Sequence, residues 1–315
     1  MLVAGLMVPY ALPLERVSPG AAAVVWLASL ALRALLAIGV TLSALLLWPA
    51  TPLFHHVTDW SGHESVGSLR FELSGEPVAH GTALGPAALL ILSLLAFAVA
   101  LARGTVALRR ELRLRALGRG PLGSVVINDR SLLVAVPGVG RPRIVLSARA
   151  LAELDSDELD ACLAHEEAHL RRRHRLFGLL AACLAVVARP FPGARAAERG
   201  LRLSLERDAD EYAVGRTGAP LALASAICKL AAGPAFAPAR GPLAFGLDGG
   251  GATRARLDCL LVGGRPRGTA AQERVAMVLG VCLSLVVVGS AVGLALWLAA
   301  ATPPSALSAA VTCGG

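Results

Sequence analysis

Two stretches of this chain run without a charged side chain for as long as a bilayer is thick: residues 83–102, twenty positions, and residues 275–302, twenty-eight positions. At 1.5 Å of rise per residue, twenty helical residues cover about 30 Å, the thickness of the hydrocarbon layer. A helix of that length in the core of a water-soluble protein carries a polar face, and these carry none. Both are expected to be transmembrane helices. Residues 21–54 are apolar apart from Arg33, so a further span is expected from about residue 21 to Trp48, with Arg33 snorkelling to an interface. Residues 1–14 are short and contain Pro9 and Pro13. They lack the basic start and small-residue cleavage site of a signal peptide and read as a short first span.

Composition agrees with a membrane chain. With 55% hydrophobic residues, 17% charged residues and a mean hydropathy of +0.64, the protein is too apolar for a disordered chain. It is also unlike an ordinary soluble enzyme, in which about a quarter of residues are charged. The net charge of +8 would suit a nucleic-acid binder, but its distribution points elsewhere. Of the 30 Lys and Arg residues, 27 lie between residues 103 and 274; Arg70 alone lies between Pro52 and Thr82, and none follows residue 302. Cytoplasmic segments of membrane proteins retain positive charge. Residues 103–274 are therefore expected in the cytoplasm, with an outer loop at about 52–82 and a short outward tail at 303–315. The expected partners are membrane lipid and protein, with no direct contact to nucleic acid. Arg103, Arg109, Arg110, Arg113 and Arg115 follow the third span as a basic helix at the headgroups would. The outer loop holds His55, His56, His63 and His80 with Asp59, Glu64, Glu72 and Glu76, and a polar connection between two spans is the simpler account of them. The six cysteines form no CxxC pair and read as small buried hydrophobes.

The segment 103–274 is long enough for one domain with its own core. Val125–Ile127, Leu132–Val136 and Ile144–Leu146 are aliphatic runs cut by turn residues, and they predict short strands. Asp155-Ser156-Asp157-Glu158 predicts a capping box that starts a helix. That helix carries His165-Glu166-Glu167-Ala168-His169. Four residues apart, His165 and His169 share one helical face and can reach one Zn²⁺, while Glu166 is placed as general base toward the metal's water. Zinc then needs another protein ligand. Residues 198–215 predict a second helix, stopped at Gly215 or Gly218, on which Glu206 and Asp210 stand four apart on one face. Glu206 is assigned as the third ligand and Asp210 as the group that orients a ligand histidine. His174, amid Arg171–Arg175, reads as a helix C-terminal charge complementing the macrodipole. The apolar run 176–188 is too short to cross a bilayer and reads as a core or surface-dipping helix. Residues 231–251, rich in Pro and Gly, read as a flexible connection.

HEEAH followed by ERDAD, three hydrophobic spans before and one after, resembles the membrane zinc metallopeptidases typified by the BlaR/MecR β-lactam sensor-transducers of bacteria. The PRIVLS strand and the LDSDELDACLAHEEAHLRRRH helix match the same pattern. The resemblance implies a bacterial cell-membrane protein with Zn²⁺ on His165, His169 and Glu206, Glu166 as base, and a cytoplasmic protein substrate such as a transcriptional repressor. HtpX-like and CAAX-processing membrane proteases share both motifs, usually with a different arrangement of spans, and supply the alternative of a quality-control protease. A zinc-binding but inactive signalling scaffold is the alternative of another class. About a dozen residues follow residue 302, without an SxxK nucleophile, so direct β-lactam sensing by acylation is not expected. Arg143, Ile144, Val145 and Leu146 are expected to hold the substrate as an added β-strand. The expected fold is a mainly α-helical multi-pass membrane protein with an inserted cytoplasmic α+β zincin-like metalloprotease domain: three spans in 1–102, the protease domain in 103–274 and a fourth span at 275–302.

Overall fold

The computed structural model describes residues 17–46, 52–59, 61–66, 69–74, 76–129, 134–135, 143–232 and 250–261, with single positions elsewhere, among them Tyr10, Leu14 and Gly280. Most of the expected short span at 1–14, most of the fourth span at 275–302, the tail at 303–315 and most of the Pro/Gly-rich connection lie outside the described residues.

Apolar residues of high helix propensity form α1 (Pro19–Leu46). Pro19 opens it, where a missing N–H is harmless, and it ends before Pro49. α2 (Pro52–Thr58), a hairpin of β1 (Ser61–Val66) and β2 (Leu69–Ser74), and α3 (Glu76–Arg115) follow. The segment read as an outer loop at 52–82 is thus largely ordered. Leu69, Phe71 and Leu73 alternate with Arg70, Glu72 and Ser74, the period of a strand, and His63 stands opposite Glu72 in the antiparallel register. The basic stretch after residue 103 is the continuation of α3, which runs 40 residues because nothing in 103–115 breaks it.

The chain then builds a four-stranded sheet from β3 (Ala116–Arg119), β4 (Val125–Ile127), β5 (Val134–Ala135) and β6 (Val145–Ser147), in the order β3-β4-β6-β5. β4 and β6 are parallel, and the two outer pairings are antiparallel. Ser147 ends β6 and caps α4 (Ala148–Glu153), its Oγ accepting from the Ala150 N–H at 3.0 Å. α5 (Ser156–Arg171), α6 (His174–Val187), α7 (Ala194–Thr217), α8 (Pro220–Ala232) and α9 (Gly250–Leu261) complete the described residues, which are mostly helical.

Two helices, Pro19–Leu46 and His80–Arg115, are long and apolar enough to cross a membrane. They differ in their surroundings. Leu84, Leu89, Ile91, Leu92 and Leu95 of α3 are exposed, whereas Leu30, Ala34 and Ala37 of α1 are buried with Ala181 and Val187 of α6 and Ala197, Leu201 and Leu205 of α7. α6 and α7 therefore share a core with the first long apolar helix. α7 comes so near α1 that a Cβ on Gly200 would lie 2.5 Å from the Trp26 ring.

Arg33 does not snorkel. Its guanidinium turns inward and is fully buried, donating to the Ser29 carbonyl at 2.9 Å, to Ser29 Oγ, and to the Pro192 carbonyl at 3.1 Å. Tyr10 lies under it, 5.6 Å from guanidinium carbon to ring centroid, and donates to the Gly193 carbonyl at 2.7 Å. The bend before α7 exposes those carbonyls at the α1 face, and a buried guanidinium satisfies them better than lipid would. Gly193 has φ +84°, and a Cβ there would lie 2.6 Å from Tyr10 Oη.

Candidate metal centre

The centre begins with the start of α5. Asp155 Oδ1 accepts from the Glu158 N–H at 2.8 Å and Glu158 Oε2 accepts from the Asp155 N–H at 3.0 Å, the expected capping box. Glu158 also accepts from Ser225 Oγ and Lys229 Nζ, both at 2.6 Å, which fastens α8 to α5. Cys162 and Leu163 then face the sheet with Ile144 and Leu146, while Ala161 and Ala164 pack with Ala213 of α7 and Leu223 of α8. These contacts fix the rotation of α5 and leave His165, Glu166 and His169 on the side toward α7.

His165 Nε2 and His169 Nε2 are 3.1 Å apart. Glu206, from α7, brings Oε2 to 3.5 Å from the first nitrogen and Oε1 to 3.6 Å from the second. Bonds of about 2.0–2.1 Å at tetrahedral angles hold zinc ligands about 3.3 Å apart, so two imidazoles and one carboxylate at these separations fit such an ion. Among the described residues this trio is the group of His, Cys, Asp and Glu side chains that could hold a metal, with ligand atoms within 4.8 Å of one another. Glu166 is buried beside it, within electrostatic reach of Arg175 and Arg256. Asp210, expected as the orienting group, brings Oδ1 to 3.0 Å from His165 Nδ1. α7 begins at residue 194 and stops at Gly218, φ +67°, with Gly215 inside the helix.

Three residues that sequence reasoning missed or misread complete the surroundings. Arg256 of α9 clamps Asp210 with two bonds, 2.8 and 2.7 Å, and reaches Glu206 Oε2 at 3.0 Å. No sequence signal marked it, because it follows a long Pro/Gly-rich stretch and approaches from a distant element. His174 is not a solvated C-terminal charge. α5 ends at Arg171, Arg173 takes the left-handed conformation at φ 54°, and His174 opens α6, where it is buried. Its Nδ1 lies 3.1 Å from His169 Nδ1 and its Nε2 lies 2.9 Å from Asp208 Oδ2. Asp208 in turn pairs with Arg172 at 2.6 Å, so part of what read as a charged helix face is turned toward the centre. A cavity next to the trio is lined by His169, His174, Arg175, Arg202 and Glu206.

The substrate-strand expectation for Arg143, Ile144, Val145 and Leu146 is corrected in the same region. β6 lies inside the sheet, paired with β4 on one side and with β5 on the other, and the Ile144 carbonyl accepts from the Val125 N–H. Short, strongly apolar strands of this kind suit an interior position. Among the described residues the edge beyond β6 is β5, which lies beside α5.

Burial opposes a charge on His165, but Asp210 and Glu206 outweigh it and push that imidazole up to about 9. Burial pushes His169 down to about 3, with Glu206 opposing. Burial also works against ionised Glu206 and Asp210, yet Arg256 and His165 hold both below the ordinary carboxylate range.

Two histidines a helical turn apart, a carboxylate crossing from a second helix, and an acid between the histidines suit metal-assisted hydrolysis, the chemistry of metallopeptidases. Residues 135–202 match Peptidase family M48, a family of metal-dependent peptidases. The match takes in His165, Glu166 and His169 and ends before Glu206, which geometry supplies. No curated protein and no solved structure matches the chain.

Proposed function

We propose that this protein is a membrane-anchored zinc metalloendopeptidase that hydrolyses peptide bonds of a cytoplasmic protein, with a transcriptional repressor as the first substrate to test. The observation that carries the reading is the convergence of His165, His169 and Glu206 within zinc-ligand distance of one another, beside Glu166. The two long apolar helices and the concentration of 27 basic residues between positions 103 and 274 support the membrane anchor and the cytoplasmic orientation.

Two imidazoles and one carboxylate suit zinc. When bound, the ion supplies Lewis acidity to the scissile carbonyl and the attacking water. Glu166 takes the proton that the water loses as its oxygen bonds to the carbonyl carbon, and returns it to the leaving nitrogen as the C–N bond breaks. Asp210 stands beside the Nδ1 side of His165, and Arg256 holds the Glu206 and Asp210 carboxylates in place. The extended substrate chain is assigned to the edge of β5, beside α5, where main-chain groups can add one strand to the sheet.

Protein purified in detergent is expected to hold zinc in stoichiometric amount. Glu166→Gln should keep the metal and lower turnover by about 10²–10⁴-fold. Comparing cellular proteomes of the wild type and Glu166→Gln then identifies the substrate: one stabilised DNA-binding repressor supports the regulatory reading, whereas a broad set of stabilised membrane proteins replaces it with quality control.

A further inference from the structure

Each proposed ligand histidine has one nitrogen for the metal and one turned away, and the two turned-away nitrogens are treated differently. Because His165 and His169 face each other through Nε2 at 3.1 Å, the outward nitrogen is Nδ1 in both. For His165 a carboxylate oxygen of Asp210 stands 3.0 Å from it. The outward nitrogen of His169 instead meets the imidazole of His174 at 3.1 Å, and the far nitrogen of that ring meets Asp208 at 2.9 Å.

The carboxylate at its end sets the direction we assign to this chain of hydrogen bonds. An ionised carboxylate only accepts, so His174 Nε2 carries the hydrogen given to Asp208. In the direction we assign, the other nitrogen of His174 keeps its lone pair and accepts from His169 Nδ1–H. That fixes His169 in the tautomer whose free lone pair is on Nε2, the nitrogen facing His165 and Glu206. The opposite direction would put a hydrogen on His169 Nε2, where a ligand needs a lone pair.

The local backbone favours the same conclusion. On an unbroken helix residues five apart point in different directions, so His174 reaches His169 only because the chain breaks after α5, with Arg173 at φ 54°. A residue with a side chain adopts that conformation seldom, and such outliers collect at functional sites. The break returns His174 to the interior from a run of arginines, and Arg172, paired with Asp208 at 2.6 Å, fixes the far end of the chain.

We propose that His174 and Asp208 are positioning residues that hold His169 in its metal-ligating tautomer, the imidazole of His174 extending the reach of the Asp208 carboxylate. The inference rests on the metal-site reading of the preceding subsection and adds to it the residues that orient the second ligand.

The test uses the full-length protein in detergent, with Zn²⁺ affinity measured by chelator competition and the visible spectrum of the Co²⁺-substituted protein. His174→Phe removes the link and is expected to weaken Zn²⁺ binding by about 10- to 100-fold and to alter the cobalt spectrum. His174→Asn, whose carbonyl can still accept from His169 Nδ1–H, should recover part of the affinity. Asp208→Asn should weaken binding less than His174→Phe. Zinc affinity within twofold of wild type for both His174 variants, with an unchanged cobalt spectrum, would overturn the proposal and leave the metal site standing. Absence of Zn²⁺ and Co²⁺ binding by the wild type would overturn the metal site and this proposal with it. A readout independent of variant folding is the ¹⁵N spectrum of histidine-labelled, zinc-loaded wild type: His174 should be the Nε2–H tautomer, and an Nδ1–H tautomer would refute the assigned direction.

Discussion

The two halves of α7 face different surroundings. From Ala194 to Leu205 its buried residues are mostly Ala and Leu, packed on α1 and α6; from Glu206 to Ala213 it turns Glu206, Asp208 and Asp210 toward α5, α6 and α9. The first half is held by shape, since Gly200 lies against Trp26 and Ala197 is fully buried. The second is held by paired charges in a low-dielectric setting, where loss of one partner exposes the others to full desolvation cost. One helix thus joins a half held by close apolar packing to a half held by particular functional groups.

Substitutions along α7 test that division, and the largest effect is expected in its second half. Glu206→Ala removes a proposed ligand and leaves Arg256 with one carboxylate fewer; metal content measured by elemental analysis should fall to background and hydrolysis with it. Retention of stoichiometric zinc would break the contrast, because the second half would then not depend on that particular group. Asp210→Ala should come next, since it frees the outward nitrogen of His165 and unpairs Arg256; zinc affinity is expected to drop about 10- to 100-fold. In the first half, Gly200→Val forces β-carbon and methyl groups into the Trp26 ring, and overpacking of this kind costs about 1–3 kcal/mol. That loss should appear in thermal unfolding followed by tryptophan fluorescence, while zinc bound per folded molecule stays constant. Arg199→Ala, on the exposed face of the same turn, should change stability by less than about 0.5 kcal/mol and sharpen the claim that the first half depends on its buried stripe alone.

The same division explains what the sequence made legible. His165, Glu166 and His169, the cap at Asp155 and Glu158, and the Glu206–Asp210 pair all follow from spacing within one helix, and helical periodicity is local. The strands at Val125–Ile127 and Val145–Ser147 were readable from aliphatic runs bounded by turns. Position within the sheet was not, because pairing of β6 on both sides depends on strands twenty residues upstream and ten residues upstream. His174 was misread because its environment depends on a left-handed Arg173, a conformation that arginine does not advertise. Arg256 was invisible since nothing local links it to Glu206 and Asp210. Arg33 appeared as a lone cation in an apolar helix, which suggested a route to the interface; its actual partners, the Pro192 carbonyl and the Tyr10 ring, are remote in sequence.

The shared core of α1, α6 and α7 has a practical consequence for anyone dissecting this protein. Cutting at the first residue after the third apolar stretch would yield a fragment with every proposed ligand, yet it would strip α1 from Leu201, Ala197 and Ala181 and uncover a hydrophobic strip along the helix that carries Glu206. Such a fragment should aggregate or lose the spacing of its ligands. α1 is therefore also part of the core that holds α7, and trimming it away is not a route to a soluble fragment.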